Sequence, residues 1–404
     1  MFISAGEASG DSYGAMLVDA LRSRRPNAEF FGCAGPRLQA SGCQPIVDAG
    51  TITMVGLVEV IPGLPRAWCA LRDLKRAIRE RRPQLAILID FPDFNLRLAN
   101  ELKKCGVPVL YFVAPQVWAW RKGRLKAIRR DVDRLLCLFP FEEEFFRKAG
   151  VNAEFVGHPL ARRAQPTQTP EEFRGKLGIA ADQSIVALLP GSRRKEVQLN
   201  LPPMLDAVRL LAAKRSCAFV LPAAPILPGN WLRNQLGSMS GQVRIVENMF
   251  YDAVGHAQAA IVASGTASTE TAILGTPMAI VYRVSGLSWW LGRRLVKVPF
   301  FSIVNLVAGR EVIREFIQDQ FTGTAVAAEI TRILDDPSAR VKMQADLKEV
   351  TRRLRRSSIE SGIESGIEAD GMVVDVAVGG QEIDDPIQRA AAVAESMLLR
   401  LVAD

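Results

Sequence analysis

The residues best placed for chemistry follow a short apolar run, Ile185 to Leu189. Pro190 and Gly191 break this run and place Ser192 and Arg193 at the start of a polar, helical stretch. A strand that ends in a glycine turn lets the backbone N–H groups of the next helix face a phosphate, and an arginine beside them adds a charge-assisted contact. The pattern predicts an anion site formed by Gly191, Ser192 and Arg193.

A second turn of the same kind follows the apolar run Ile261 to Ala263. The small residues Ser264, Gly265 and Thr266 come next, and Glu270 is expected in the first turn of a helix, where its carboxylate can accept from two vicinal hydroxyls. Either turn alone is also typical of an ordinary connection between a strand and a helix. Because a phosphate and a diol occur together in nucleotides, the two turns in one domain favour a nucleotide site.

A third turn carries a carboxylate that could act as a base. Asp90 is the first polar residue after the predicted strand Leu85 to Ile89, and Pro92 is expected to delay the next helix. An aspartate with the ordinary pKa of about 3.9 is ionised at neutral pH and can accept a proton. We expect Asp93 to cap a helix from Phe94 to Lys104, whereas the position of Asp90 favours catalysis.

The loop after the first predicted strand contains Glu7, Ser9 and Asp11 between glycines. It lacks the Gly-x-Gly-x-x-Gly spacing of a dinucleotide site, so a hydride-transfer enzyme has little support. The two carboxylates would repel a phosphate. They suit either sugar hydroxyls of an acceptor in the cleft or the dipole of the following helix, and the sequence does not decide between these two roles.

Composition narrows the class of protein. A chain of 404 residues is too long for one typical core, which predicts two domains. No apolar stretch is long enough to span a membrane and no basic leader precedes Glu7, so we expect a cytoplasmic chain. The six cysteines show no Cys-x-x-Cys spacing and there are two histidines, so we expect no metal site and no cofactor.

Short apolar runs alternate with amphipathic stretches almost to residue 335, which predicts parallel strands covered by helices. The expected fold is α/β, with two doubly wound, Rossmann-like domains that face a central cleft. We place the domains at 1–163 and 171–335, joined by a polar linker. The remaining 336–404 is expected to form C-terminal helices, with a repeat-bearing, flexible insertion at about 357–385. The expected strands are Met1 to Ser4, Leu85 to Ile89, Val109 to Val113, Leu135 to Phe139, Ile185 to Leu189, Phe219 to Leu221, Ile261 to Ala263 and Met278 to Tyr282.

The net charge of +8 is concentrated in two clusters. Arg121 to Arg134 contains seven basic residues, and Leu291 to Lys297 contains three beside Trp289 and Trp290. Nucleic acid, an anionic membrane surface or phosphorylated substrates could each explain such clusters, and solvated helix faces are the plainer alternative. Indole rings next to cations favour a membrane surface.

The helix predicted from Arg66 to Glu80 repeats this combination. Its apolar stripe includes Leu71 and Leu74, whereas Trp68 lines up with Arg72, Lys75 and Arg79 on the outer face. Trp290 and Arg294 pair in the same way within the second cluster. We therefore predict that Trp68, Arg72, Trp290 and Arg294 contact a membrane. The apolar run Met54 to Pro65 is too short and too rich in proline to cross one.

An ordered set of motifs between residue 1 and about 320 resembles the lipid-A-disaccharide synthase family. The motifs are Gly-Glu-Ala-Ser-Gly-Asp at 6–11, Ala-Gly-Pro-Arg at 34–37, Met-Val-Gly-Leu-Val-Glu-Val at 54–60, Asp-Phe-Pro-Asp-Phe-Asn at 90–95, Ala-Pro-Gln-Val-Trp-Ala-Trp-Arg at 114–121, Leu-Pro-Gly-Ser-Arg at 189–193, Ser-Gly-Thr-Ala at 264–267 and Asn-Leu-Val-Ala-Gly-Arg-Glu at 305–311. The resemblance implies a B-type glycosyltransferase whose first domain takes a lipid acceptor and whose second takes a UDP-sugar, with a closing helix that returns to the first. It also implies that Asn305 and Arg310 serve the acceptor or the cleft.

By this resemblance, the reaction joins UDP-2,3-diacylglucosamine to 2,3-diacylglucosamine 1-phosphate through a β-1,6 bond and releases UDP. Asp90 would be the base of an inverting transfer, and Arg193 with its neighbouring N–H groups would stabilise the departing diphosphate without a metal. Asp131-Val132-Asp133 matches a metal-binding Asp-x-Asp, but its place before an apolar run favours a cap at a strand entry.

Two other classes stay open. A UDP-sugar epimerase or transferase with a water-soluble substrate would use the same nucleotide motifs and would not need exposed tryptophans. A nucleic-acid-binding protein would use the basic clusters, but the chain has no recognised motif of that kind, so we expect no nucleic acid partner. The expected partners are the two lipid substrates and an anionic inner-membrane surface on its cytoplasmic face, and the sequence leaves open whether the chain forms a homo-oligomer.

Overall fold

The computed structural model describes residues 1–52, 60–118, 123–286, 289, 298–355 and 385–403. The chain divides into two compact units. The first consists of Met1–Pro159 together with Arg355–Asp404, and the second is Leu160–Leu354.

The first unit is built on a parallel sheet in the order β3-β2-β1-β4-β5-β6-β7. The order reverses between β1 and β4, and in doubly wound sheets ligands bind at the carboxyl ends of the strands at such a switch point. The strands are β1 (Phe2–Ala5), β2 (Phe31–Ala34), β3 (Gln44–Asp48), β4 (Ala86–Ile89), β5 (Val109–Phe112), β6 (Arg134–Cys137) and β7 (Ala153–Phe155).

Helices cover this sheet because each has one apolar face. Leu74 and Ile78 on one helix and Leu98 and Leu102 on the next are fully buried in a single apolar cluster with Leu88 of β4. Apolar residues at such three- and four-residue spacings fall on the same side of a helix. The helices are α1 (Ala8–Arg24), α2 (Pro36–Ala40), α3 (Val60–Arg81), α4 (Pro92–Lys104), α5 (Arg124–Asp131) and α6 (Pro140–Lys148).

The second unit has a parallel sheet in the order β10-β9-β8-β11-β12-β13, with its switch point between β8 and β11. Its strands are β8 (Ser184–Leu189), β9 (Cys217–Pro222), β10 (Val243–Val246), β11 (Ala259–Ala263), β12 (Met278–Tyr282) and β13 (Glu315–Ile317). Its helices are α7 (Pro170–Leu177), α8 (Arg194–Ala212), α9 (Gly229–Leu236), α10 (Phe250–Gly255), α11 (Thr266–Ile273), α12 (Ile303–Ala308), α13 (Gly323–Asp335) and α14 (Pro337–Leu354).

The last helix, α15 (Pro386–Ala403), belongs to the first unit. Glu395 lies 3.3 Å from Arg24 and 3.6 Å from Arg25 at the end of α1, and Arg389 lies 2.7 Å from Glu154 in β7. The two helices described after residue 335 belong to different units. Met343 and Leu347 of α14 are buried, and Thr351 Oγ1 donates to the carbonyl of Ala272 in α11 at 3.2 Å. It therefore packs within the second unit, whereas α15 packs against the first.

The predicted α/β architecture of two doubly wound sheets is confirmed. The sequence analysis did not predict five of the described strands, namely β2, β3, β7, β10 and β13. They are three to five residues long and several are partly exposed, so their apolar runs are too weak to stand out. Among the described residues, no helix combines the length and apolarity needed to cross a membrane.

Candidate active site

Asp90 lies at the carboxyl end of β4, beside the switch point of the first sheet. Its side chain is half-buried, and its backbone is left-handed, with a φ of +48°. The backbone N–H of Asp90 continues the sheet by donating to the carbonyl of Phe112 at 3.0 Å. The structure therefore places Asp90 where a doubly wound fold positions working residues.

The turn after Asp90 differs from the sequence prediction. α4 begins at Pro92 rather than at Phe94, because proline is well suited to the first position of a helix, where no N–H partner is needed. Phe91 is the N-cap residue, without a side-chain cap. Asp93 is largely exposed and forms an ion pair with Arg124, so the predicted capping role of Asp93 is wrong.

The three polar residues of the first loop have separate roles. Glu7 is the N-cap residue of α1 and Ser9 lies in its first turn, both partly exposed. Asp11 is buried, and its two carboxylate oxygens accept from the backbone N–H groups of Arg37 at 2.9 Å and Leu38 at 3.1 Å. Its carboxylate thus stabilises the start of α2, which is neither of the two roles that the sequence left open, an acceptor contact or the dipole of the following helix α1.

The predicted anion loop in the second unit lies between β8 and α8. Gly191 has a φ of +121°, which favours glycine, and α8 begins at Arg194. The N–H groups of Ser192 and Arg193 point toward one carboxylate oxygen of Glu196, at 3.1 and 3.2 Å. The Arg193 guanidinium lies 3.6 Å from the other oxygen and is 62% exposed, so it is accessible to a ligand.

Glu196 was missed in the sequence analysis. The signal that could have found it is its place three residues after the N-cap residue Arg193, where a glutamate commonly returns to the N-cap N–H. The two N–H groups and the arginine that were expected to hold a phosphate already hold a carboxylate here. This arrangement has the chemistry of an anion site.

The second predicted nucleotide loop connects β11 to α11. Ser264 Oγ donates to the carbonyl of Phe301 at 3.0 Å, and Gly265 and Thr266 are exposed at the helix start. Glu270 is the fifth residue of α11, one turn further in than we predicted. Burial raises the pKa of Glu270 to about 7, and a hydrogen bond from Tyr251 opposes part of that rise.

If Glu270 contacts the ribose of UDP, as the sequence predicts, the raised pKa should make UDP binding depend on pH. Ribose hydroxyls donate to a carboxylate, so the ionised form of Glu270 should bind UDP more tightly. With a pKa of about 7, roughly nine-tenths of Glu270 is protonated at pH 6 and nine-tenths is ionised at pH 8. We expect UDP affinity, measured by calorimetry, to rise up to about tenfold over this range.

Glu270→Gln is the control, because it removes the titrating group and retains the shape. The terminal phosphate of UDP also titrates in this range, so the ratio of the wild-type affinity to the Glu270→Gln affinity isolates the carboxylate. A ratio that stays constant from pH 6 to pH 8 would contradict a role for Glu270 in binding UDP.

Asn305 and Arg310 make contacts within the second unit. Asn305 is fully buried, and its Oδ1 accepts from the N–H groups of Val312 at 2.8 Å and Ile313 at 3.1 Å. It therefore holds the turn after α12, which corrects the expectation that its side chain serves an acceptor. Arg310 is about half exposed and lies 2.6 Å from Asp346 on α14.

The predicted membrane residues are only partly described. Trp68 is 65% exposed, and Arg72, one turn further along α3, is also exposed. Of the two other cations expected on that face, Arg79 is 63% exposed although it lies 2.6 Å from Glu101 of α4, whereas Lys75 is partly buried and lies 3.4 Å from the same carboxylate. Three of the four residues expected on this face, Trp68, Arg72 and Arg79, are therefore exposed. Trp290 and Arg294, and most of the basic cluster around them, lie outside the described residues.

The Asp-x-Asp sequence takes part in structural contacts, as predicted. Asp133 accepts from the N–H of Val109 at the start of β5 at 2.8 Å and lies 2.6 Å from Lys103. Asp131 is buried and lies 2.7 Å from Arg130. Among the described residues, there is no group of three or more histidine, cysteine or acidic side chains arranged to hold a metal.

A buried carboxyl near Asp90 was not found from the sequence. Glu142 of α6 is 1% exposed, and its carboxyl oxygens accept from Trp118 Nε1 at 3.0 Å and from the N–H of Phe139 at 3.3 Å. Burial raises the pKa of Glu142 to about 8, and the charge of Asp90 adds to the rise. In the sequence, Glu142 is one of three consecutive glutamates, and the sequence does not show which of the three is buried.

Two solved structures share the overall fold. One is the glycotransferase of kitacinnamycin, with a TM-score of 0.62, 14% identity, and coverage of 98% of this chain and 98% of that chain. The other is UDP-GlcNAc 2-epimerase from Neisseria meningitidis bound to UDP-GlcNAc, with a TM-score of 0.56, 10% identity, and coverage of 87% and 98%. At these identities the likeness extends to the fold alone.

Sequence comparison identifies the family, which the structural likeness does not. A lipid-A-disaccharide synthetase family model matches residues 1–364. The chain is 47% identical over 354 residues to a lipid-A-disaccharide synthase of Solibacter usitatus, covering 88% of this chain and 92% of the relative. It is 44% identical over 357 residues to one of Koribacter versatilis, with coverage of 88% and 93%. With the two doubly wound sheets and the ordered motifs, these matches show that the chain belongs to the lipid-A-disaccharide synthase family.

Proposed function

We propose that the chain transfers 2,3-diacylglucosamine from its UDP derivative to the 6-hydroxyl of 2,3-diacylglucosamine 1-phosphate, forming a β-1,6 bond and releasing UDP. The observation that carries this proposal is the 47% identity to a lipid-A-disaccharide synthase over 88% of the chain. As a member of that family the chain is a UDP-sugar-dependent glycosyltransferase.

Asp90 is the base in the mechanism we propose. Its carboxylate accepts the proton of the acceptor 6-hydroxyl as that oxygen attacks the anomeric carbon of the donor sugar. The bond between the anomeric carbon and the diphosphate oxygen breaks, and its electron pair leaves with UDP. Attack from the face opposite the leaving group inverts the anomeric carbon. The half-buried position of Asp90 at the carboxyl end of β4 supports this role.

The leaving diphosphate needs positive charge and hydrogen-bond donors. In the proposal, Arg193 supplies the charge, and the N–H groups around Gly191 and Ser192 supply the donors. The diphosphate then replaces the Glu196 carboxylate, which binds the N–H groups of Ser192 and Arg193 in this structure. A cationic side chain takes the role that a metal ion has in other glycosyltransferases, so the proposed mechanism uses no metal.

One incubation tests the proposed reaction. Purified chain is mixed with UDP-2,3-diacylglucosamine and 2,3-diacylglucosamine 1-phosphate, and products are detected by mass. A disaccharide 1-phosphate together with UDP is the expected result. Loss of the UDP-sugar without a disaccharide would instead favour a hydrolase or epimerase. UDP-N-acetylglucosamine, which has no long acyl chains, is the control donor.

The site of action we propose is the cytoplasmic face of the inner membrane, as a peripheral protein. Both substrates carry acyl chains and reside in a bilayer, so the enzyme must reach its surface. The exposed Trp68 ring beside Arg72 supports this, because an indole with a neighbouring cation suits the interface between lipid headgroups and water.

Replacing both Trp68 and Trp290 with serine should reduce binding to anionic vesicles. Each lysine or arginine near an anionic surface contributes about 1 kcal/mol, and salt screens that attraction, so wild-type binding should also weaken as salt rises. Sedimentation with vesicles measures both effects. Ile226→Ser is a matched control, since Ile226 is 66% exposed in the second unit. A large loss of thermal stability with vesicle binding preserved would contradict the lipid-facing role of these tryptophans.

A further inference from the structure

Two consecutive residues at the end of β4 have backbone conformations that residues with side chains rarely adopt. φ is +48° at Asp90 and +50° at Phe91, in the left-handed region that favours glycine. Such conformations persist only where the surrounding structure holds them, and they are concentrated at functional sites. The contacts that hold this turn therefore determine the backbone conformation of Asp90.

Both peptide groups that flank the Asp90 α-carbon are held by hydrogen bonds. On one side, the N–H of Asp90 donates to Phe112 at 3.0 Å, and the carbonyl of Ile89 accepts from Asn95 Nδ2 at 3.1 Å. On the other side, the carbonyl of Asp90 accepts from Asn95 Nδ2 at 2.8 Å and from Tyr111 Oη at 2.6 Å. With both peptide planes fixed, the direction in which the Asp90 side chain leaves the backbone is fixed as well.

The two donors are themselves held rigidly. Asn95 is fully buried in α4, and its Oδ1 accepts from Ser4 Oγ of β1 at 2.7 Å. Tyr111 is fully buried in β5, and burial raises the pKa of its hydroxyl well above the ordinary value, with the charge of Asp90 adding to the rise. Tyr111 therefore retains its proton and remains a donor. The network joins β1, β4 and β5, which are neighbours at the switch point of the first sheet.

We propose that Asn95 and Tyr111 are positioning residues for Asp90, which hold its strained backbone so that the carboxylate meets the acceptor hydroxyl. This inference rests on the proposed function, in which Asp90 is the base. Neither side chain touches the reacting atoms in that mechanism, so both act through Asp90. A displacement of about 1 Å of a catalytic group can cost about 10²-fold in rate.

Single variants measure the size of the effect. Tyr111→Phe removes one hydroxyl and should lower kcat about tenfold, whereas Asn95→Ala frees both flanking peptides and should lower it about 10²-fold. KM for both substrates and the Kd for UDP should stay at wild-type values, because binding does not depend on the base. Asn100→Ala is the matched control: Asn100 is on the same helix, binds Asp131 at 3.3 Å, and should leave kcat unchanged.

A double-mutant cycle separates positioning from general structural damage. In an Asp90→Asn background there is no base to position, so adding Tyr111→Phe or Asn95→Ala should cause no further loss of residual kcat. The inference is overturned if these changes lower kcat by the same factor in both backgrounds, or if neither lowers it in the wild-type background. If Asn95→Ala fails to fold, the double-mutant cycle with Tyr111→Phe alone tests the positioning role. A wild-type chain that forms no disaccharide, or an Asp90→Asn variant with full turnover, would contradict the proposed function instead.

Discussion

Asp90→Asn is expected to abolish turnover while leaving the affinity for UDP nearly intact. The amide retains the shape of the side chain and cannot accept the proton of the acceptor hydroxyl. Loss of a general base typically lowers the rate by about 10² to 10⁴-fold. Disaccharide formation followed by mass detection measures the first quantity, and calorimetry with UDP measures the second.

Asp93→Asn is the matched control for this prediction. Asp93 lies three residues after Asp90, in the first turn of α4, and its exposed carboxylate pairs with Arg124. Because the Asp93 side chain is largely exposed and an asparagine oxygen can still accept from the Arg124 guanidinium, this variant should keep wild-type turnover. Asp90→Asn turnover within a factor of about two of wild type would rule out Asp90 as the base. Because Asp11 is buried and caps α2, the structure offers no support for Asp11 as a substitute base.

Arg193→Ala and Glu270→Ala should each weaken UDP binding, the first through the diphosphate and the second through the ribose. A hydrogen bond to a charged group contributes about 1.5 to 3 kcal/mol, which corresponds to a rise in Kd of about 10- to 150-fold. The guanidinium of Arg193 is largely exposed, so its loss should not destabilise the fold. Calorimetry with UDP alone measures both effects without the lipid acceptor.

Arg209→Ala serves as the control for Arg193→Ala. Arg209 is on the same helix, α8, and pairs with Asp206 at 2.5 Å in an exposed position far along the helix from the anion loop. Its removal changes the net charge equally and should leave UDP affinity unchanged. Equal affinity for UDP in wild type, Arg193→Ala and Glu270→Ala would show that the nucleotide site proposed in the second unit is wrong.

The class of fold could be predicted from the amino-acid pattern, because buried parallel strands appear as continuous apolar runs between amphipathic stretches. The family also followed from the sequence, since an ordered set of motifs is specific even where each motif is weak. What the sequence missed were the short strands β2, β3, β7, β10 and β13, whose apolar runs are brief or partly exposed. The place of α14 was also missed, because an amphipathic helix does not reveal which sheet it covers.

The roles of several polar residues could be assigned from their contacts in the folded chain and not from the sequence. Asp11 and Asn305 belong to motifs that suggest ligand binding, yet each accepts hydrogen bonds from backbone N–H groups. The partners of Asp11 are 26 and 27 residues away in sequence, and those of Asn305 are 7 and 8 residues away. Such pairings depend on how the loops fold, which spacing along the chain does not encode. The same reason applies to Asn95 and Tyr111. Their contacts with Asp90 form only when α4 and β5 pack beside β4, so the sequence could suggest Asp90 as the base but could not suggest the residues that hold it.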